Sequence, residues 1–239
     1  MTKKIISLIK KALHNWSYVA AALLLFIAAD IGYIAGLCPD WDLYLKVPIF
    51  KSNFIKRYEL QRGDKKWPAL RWQPVPIEKI SKNMIKAVVV AEDSRFYSHK
   101  GFDAEAFEEV MRANLSERKF RHGGSTISQQ TAKNVFLTPS RNPLRKWHEL
   151  VLTFWMEMRL EKKRIMEIYL NVAEFGKGIY GVEAAAKYYW GIDASDLSME
   201  QAVELAATLP APKNHNPKTR TSFFSKRKKK LLGQLARFP

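Results

Sequence analysis

A chain of 239 residues, 47% of them hydrophobic, holds enough apolar material for one sizeable core and an appendage, so a single catalytic domain is the expected organisation. Forty Lys and Arg against 23 Asp and Glu leave a formal charge of +17, which calls for an anionic partner: nucleic acid, phospholipid headgroups or a phosphorylated substrate. The single cysteine, Cys38, excludes an intrachain disulfide, so the fold must depend on its core.

Lys3, Lys4, Lys10 and Lys11 precede an apolar stretch from Trp16 to Leu37 that is long enough to cross a bilayer as a helix. The expected organisation is therefore a basic cytoplasmic segment over 1–15 and a transmembrane helix over 16–37. Everything after Leu37 then lies on the far side of the membrane, where anionic lipid is available and nucleic acid is not an expected partner. The alternative is a cleaved signal peptide, with Val19 to Ala29 as its apolar region. A lipid-modified Cys38 is disfavoured, because Leu37 stands where a small residue is needed.

From Pro39 to Pro76 the sequence mixes Trp, Pro and charge without helical period, which predicts a membrane-proximal linker over 38–76. The remainder, 77–239, reads as one mainly α domain, because strand signals are sparse. Met84, Ala87, Val88 and Ala91 fall at i, i+3, i+4 and i+7 of a helix that delivers Glu92. If that helix continues, Glu92, Phe96 and His99 share a face before Gly101 breaks it. A second helix is predicted to start at Gly123, Gly124, Ser125 and Thr126 and to run through Lys133. A third is predicted from Asn142 to Lys163, with Leu150, Phe154 and Met158 on one stripe. Ser198 followed by Gln201 is a capping box that opens a helix ending at Pro210. The basic run Lys226 to Lys230 reads either as a solvated end or as a contact with anionic lipid.

Taken singly, the polar residues are ambiguous. Glu92 near His99 fits a surface carboxylate beside a structural His as well as it fits a catalytic base. Thr126, Gln130 and Lys133 lie at i, i+4 and i+7 behind a glycine-rich helix start, a face suited to pyrophosphate or an ordinary glycine turn with a polar helix face. Arg145 and Lys146 stand four and three residues before Glu149, which alone is most often a surface ion pair.

In sequence order these segments resemble the signatures of family 51 peptidoglycan glycosyltransferases. Glu92, Asp93, Phe96, His99, Gly101 and Asp103 are similar to the first signature. Gly124, Ser125, Thr126, Gln130, Lys133 and Asn134 are similar to the second, and Arg145, Lys146 and Glu149 to the third. Tyr169 to Asn171 with Phe175 to Gly181, then Glu204 to Ala206 with Asn216 and Pro217, resemble the last two. The resemblance covers Ile80 to Pro217 and is closest in architecture to the monofunctional members, which have one anchor and a lysozyme-like, mostly helical domain. Ser116 and Lys119 fit an SxxK pattern, but no Lys-Thr-Gly follows and the length leaves no room for a transpeptidase domain.

The resemblance implies polymerisation of lipid II into β-1,4 glycan with inversion and release of undecaprenyl pyrophosphate. It implies that Glu92 is the general base, and that Lys133, Arg145, Lys146, Gln130, Ser125 and Thr126 hold the pyrophosphate, with Asp93, Phe96, His99, Gly124 and Asn134 completing the substrate site. Glu149 would orient the two cations or share in catalysis. No organic cofactor is implied. A divalent ion, Mg or Mn, would ride on the pyrophosphate beside Glu92 or Glu149 without dedicated protein ligands. The expected partners are lipid II, the growing strand, an anionic membrane surface and proteins of the cell-wall or division machinery; moenomycin is the expected inhibitor. A lysozyme-like muramidase using Glu92 as general acid, or an anchored scaffold protein, is the alternative.

Overall fold

The computed structural model describes residues 2–46, 49–117, 124–139 and 142–238, and the chain divides into two units, 1–40 and 41–239. Lys119, Arg121, His122 and Gly123 lie outside the described residues. The first unit is dominated by one helix, α1 (Thr2–Leu37). Its Trp16–Leu37 portion, 22 residues of mean hydropathy 2.1, is long and apolar enough to cross a membrane and fits a single-pass anchor.

The second unit is mainly helical. In chain order it contains α2 (Trp41–Lys46), α3 (Asn53–Gln61), β1 (Arg71–Trp72), α4 (Lys82–Glu92), α5 (Ala104–Glu117), α6 (Ile127–Phe136), α7 (Pro143–Arg159) and α8 (Lys162–Val172). Then follow β2 (Glu174–Gly176), β3 (Ile179–Tyr180), α9 (Val182–Trp190), α10 (Met199–Thr208) and α11 (Ser222–Leu235). The core is built where α4 lies against α10. Met84, Ala87 and Val88 are buried on α4 as their spacing predicts. Ala202, Ala206 and Ala207 on α10 are fully buried, and residues this small let the two backbones approach closely. Burying Met84, Val88 and Leu205 contributes roughly 1.5–3 kcal/mol each. The capping box of Ser198 and Gln201 opens α10 as its sequence predicts. On the other side α6 packs on α7 and α8.

The stretch read as an aperiodic linker contains α2, α3 and β1. Ser52 caps α3, whose Ile55 and Tyr58 are buried, and Asn53 Nδ2 donates to the Phe136 carbonyl at the end of α6 (2.8 Å). Further on, the buried Asn171 at the end of α8 clamps Val75 from both sides, its Oδ1 accepting the Val75 N–H at 2.8 Å and its Nδ2 donating to the Val75 carbonyl at 2.9 Å. Composition misled here because two short helices and a two-residue strand are too brief to show a period.

The third predicted helix is in fact two. α7 begins as expected, with Asn142 as its cap and Pro143 in its first turn, but Leu160 and Glu161 are extended and α8 starts at Lys162. Its inward face also differs from the expected stripe: His148, Glu149, Leu152, Thr153 and Met156 are buried, while Phe154 and Met158 are each 57% exposed.

The small sheet has the order β1-β3-β2, with β1 parallel and β2 antiparallel to β3. The turn into α9 needs Gly181, where φ is +84° and an added Cβ would lie 2.9 Å from the backbone oxygen of Asn171. Gly181→Ala is expected to cost roughly 2–3 kcal/mol, read as a melting temperature lowered by about 5 °C or more. An unchanged melting temperature would contradict the close approach.

Beside the same sheet, burial pushes the Glu174 carboxyl up to about 7, against the opposing charge of Lys213. Its Oε1 has no hydrogen-bond partner and the Lys213 ammonium is 3.8 Å from Oε2. Between the ordinary carboxylate value and about 7 the folded chain keeps a proton that the unfolded chain has released, so this group makes stability fall as pH rises through that window. Glu174→Gln is expected to stabilise the protein at pH 8 by roughly 1–2 kcal/mol and to change little at pH 4.5. Equal denaturant midpoints for the two forms at pH 8 would rule this out.

Candidate active site

The candidate site forms where α4 ends and α6 begins. α4 stops at Glu92 because Asp93 turns its carboxylate to the start of α6, accepting the Ile127 N–H at 2.9 Å, and its backbone leaves helical geometry with ψ at 75°. The expectation that Glu92, Phe96 and His99 share one helix face is thereby corrected. His99 instead folds back, its Nε2 2.9 Å from Asp93 Oδ1, while the Gly101 N–H donates to Nδ1 at 3.1 Å. That second bond places the imidazole proton on Nε2, facing the carboxylate. Phe96 is fully buried, with the Lys162 ammonium 4.5 Å from its ring centre, and belongs to the core that supports the loop.

The start of α6 is capped from within. Thr126 Oγ1 accepts the Gln129 N–H at 3.2 Å and donates to the Gly101 carbonyl at 2.7 Å, and Gln129 returns a capping-box bond. Asp93 and Thr126 accept the N–H groups of Ile127 and Gln129 at this helix start, so Thr126 supports the site from behind. Gly124 and Ser125 line a cleft of about 200 Å³ together with Glu92, Asp93 and Asp103.

Glu92 is gripped at both oxygens. Gln130 Nε2 donates to Oε2 at 2.9 Å and an Arg227 Nη2 donates to Oε1 at 2.7 Å. Burial pushes its carboxyl above the usual range, opposed by the Gln130 hydrogen bond and by the charges of Arg227 and Lys133. One turn beyond Gln130, burial pulls the Lys133 ammonium below its ordinary value, opposed by Glu149 and reinforced by Arg145 and Lys146. Asn134 is half-buried beside it. On α7 the buried Glu149 pairs through Oε2 with Arg145 at 2.8 Å and through Oε1 with Lys146, whose ammonium also reaches Ser125 Oγ at 3.3 Å. Residues separated by up to 57 positions, from Glu92 to Glu149, are thus brought into one basic site with a carboxylate at its edge.

Sequence reasoning missed Arg227. The basic run Lys226 to Lys230 lies within α11, where Arg227 reaches Glu92 and Lys228 bridges Glu200 and Glu204, each at 2.7 Å. The only sequence signal was that Phe224 and Leu231, both buried, flank Arg227 at helical spacing.

The side chains that could hold a divalent ion already have protein partners. Among the described residues, Asp93, His99 and Asp103 offer ligating atoms within 4.8 Å of one another. Each is engaged within the protein: Asp93 with the Ile127 N–H and His99, and Asp103 with Arg95 and the Ala106 N–H. Glu92 and Glu149 likewise each accept from a protein donor at both oxygens.

This mainly helical domain sets a half-buried carboxylate at a helix end near a three-cation cluster on two neighbouring helices; residues 63–236 match the Transglycosylase family, and the chain belongs to it. It is 43% identical over 186 residues to the biosynthetic peptidoglycan transglycosylase of Nitrosospira multiformis, covering 77% of this chain and 81% of that protein. The proteins of the same description from Caulobacter vibrioides and Herminiimonas arsenicoxydans are 47% and 42% identical, with 87% and 88% of this chain and 88% and 87% of theirs covered.

Asp93→Ala would leave the Ile127 N–H buried without its acceptor and His99 without its partner. A loss of about 1–3 kcal/mol is expected, seen as a lower denaturant midpoint at unchanged slope. Wild-type stability would mean that the tie between α4 and α6 is held by other contacts.

Proposed function

We propose that this protein polymerises peptidoglycan glycan strands from lipid II, with Glu92 as general base and Lys133, Arg145 and Lys146 holding the pyrophosphate. The observation that carries the proposal is Glu92 itself: a carboxylate pinned at the rim of a polar cleft, with the cation cluster on the adjoining turns of α6 and α7. Family membership and the names of the relatives support the reaction class.

The chemistry follows from the linkage. An α-linked donor that yields a β-1,4 product inverts in one displacement, so a base must take the proton of the attacking 4-hydroxyl and the departing pyrophosphate must be neutralised. Glu92 takes the first task. Arg145 offers a two-pronged donor and Lys133 and Lys146 point charges for the second, while Glu149 holds Arg145 and Lys146 in place. Ser125 and Gln130 belong at the edges of this cradle. A divalent ion accompanying the substrate would be held by phosphate oxygens, and no step depends on it. A carboxyl raised by burial also suits the general acid of a muramidase, but that reaction gives the cation cluster no task.

In the cell we place the N-terminus in the cytoplasm, α1 across the inner membrane and the domain outside it, beside a lipid-tailed substrate. The outward apolar side chains of α7, Trp147, Phe154 and Met158, supply a face for that membrane.

Purified protein given lipid II should yield long glycan that a muramidase digests and moenomycin blocks. Glu92→Gln should lose turnover by a factor on the order of a hundred or more while binding moenomycin almost normally. Glu149→Gln should also weaken binding of the pyrophosphate moiety. Substantial turnover by Glu92→Gln, or complete loss by Glu149→Gln at unchanged affinity, would overturn these roles.

A further inference from the structure

We infer that Arg227 is a positioning residue for the reaction, holding Glu92 oriented and ionised at the mouth of the cleft while Gln130 holds its other oxygen. The inference rests on the reading of Glu92 as the base. Arg227 lies within the family match but beyond the motifs read from the sequence, which end at Pro217, in a lysine-rich run whose composition suggests a solvated surface. Its surroundings are otherwise. Phe224 and Leu231, three residues before and four after, are 2% exposed and put Arg227 on the inward face of α11. Lys228 locks the neighbouring face to α10 through Glu200 and Glu204. The register of α11 is therefore set by apolar burial and an ion-pair bridge, and Arg227 arrives at Glu92 as a consequence.

The Arg227 side chain is partly withdrawn from water, 25% exposed, and the counter-charge that offsets its desolvation is Glu92 at 2.7 Å. The same guanidinium group lies 3.4 Å from the Ala91 carbonyl, and its Nε is buried without a hydrogen-bond partner. Gripped at both oxygens, the Glu92 carboxylate cannot turn about its terminal torsion, yet each oxygen keeps a lone pair for an incoming hydroxyl.

The charges facing Glu92 are Arg227 from α11 and Lys133 from α6, with the buried Tyr169 phenol from α8. Asp93, next in the chain, is paired with His99, and on α10 Glu200 and Glu204 are paired with Lys228. Burial favours the protonated carboxyl and the two cations oppose it, so removing Arg227 must raise the pH at which Glu92 becomes a competent base.

The test uses the full chain as Arg227→Gln, Arg227→Lys and Glu92→Gln, with glycan polymerisation from lipid II followed from about pH 5.5 to 9. Arg227→Gln should lose kcat by on the order of ten- to a hundredfold with KM changed less than about threefold. Its acid limb should move to higher pH, so that the deficit is larger at pH 6 than at pH 8.5. Arg227→Lys should recover part of kcat and move the limb back. A deficit equal at every pH, a deficit carried by KM, or wild-type turnover in Arg227→Gln would overturn the inference. If Arg227→Gln melts early, Arg227→Lys decides: restored folding without a restored acid limb also overturns it. Glu92→Gln separates the two ideas, because its retained turnover would remove the base itself. An inactive Glu92→Gln beside a pH-independent Arg227→Gln would sink only the role of Arg227.

Discussion

The Asp93 carboxylate at the start of α6 is the interaction on which the site depends. It lies at the point where α4 must stop, and the partial positive charge of a helix start favours an anion there. One side chain thus ends α4, begins α6 and, through His99, folds back the loop between them. Thr126 reinforces the junction from the other chain segment by bonding to Gly101. Gln130 can meet Glu92 only because these two helix ends are held against each other.

Around that junction, apolar and polar roles are separated. α10 and the inner face of α4 are filled by Ala, Val, Leu and Met, which tolerate close approach without polar demands. Several buried carboxylates are answered by specific donors: Glu149 by Arg145 and Lys146, Glu157 by Lys162 and Ser128, and Glu183 by the Ala194 N–H. Such pairs add little net stability once desolvation is counted. What they supply is direction, since Glu149 aims Arg145 and Lys146 of the cluster.

The helix α7 serves two environments. Its inner turn-to-turn face carries Glu149, Leu152 and Met156 into the domain, while Trp147, Phe154 and Met158 remain outside. Both faces contain large apolar residues, so periodicity alone does not say which is the core. The polar contacts that leave α7 mark the inner face: Lys146 reaches Ser125 Oγ at 3.3 Å and Gln129 Oε1 at 3.4 Å, and Glu149 lies within electrostatic reach of Lys133 on α6.

Local chemistry was legible from the residues themselves. The apolar run of α1, the buried spacing of Met84, Ala87 and Val88, the Ser198 and Gln201 cap and the Asn142 and Pro143 start all act within one or two turns, and all appear as expected. The order of the polar segments likewise identified Glu92, Gln130, Lys133, Arg145 and Glu149 as residues to bring together. What only the tertiary structure decided depends on contacts between distant parts of the chain. Asp93 ends α4 because Ile127, 34 positions on, offers an N–H. The 38–76 segment takes its order from Phe136 and Asn171, and Phe96 becomes core once α8 closes over it. Arg227 is the extreme case: it finds Glu92 across 135 positions, and a run of basic residues carries no local mark of which one will turn inward, because that is settled by the face α11 turns toward α4 and α10.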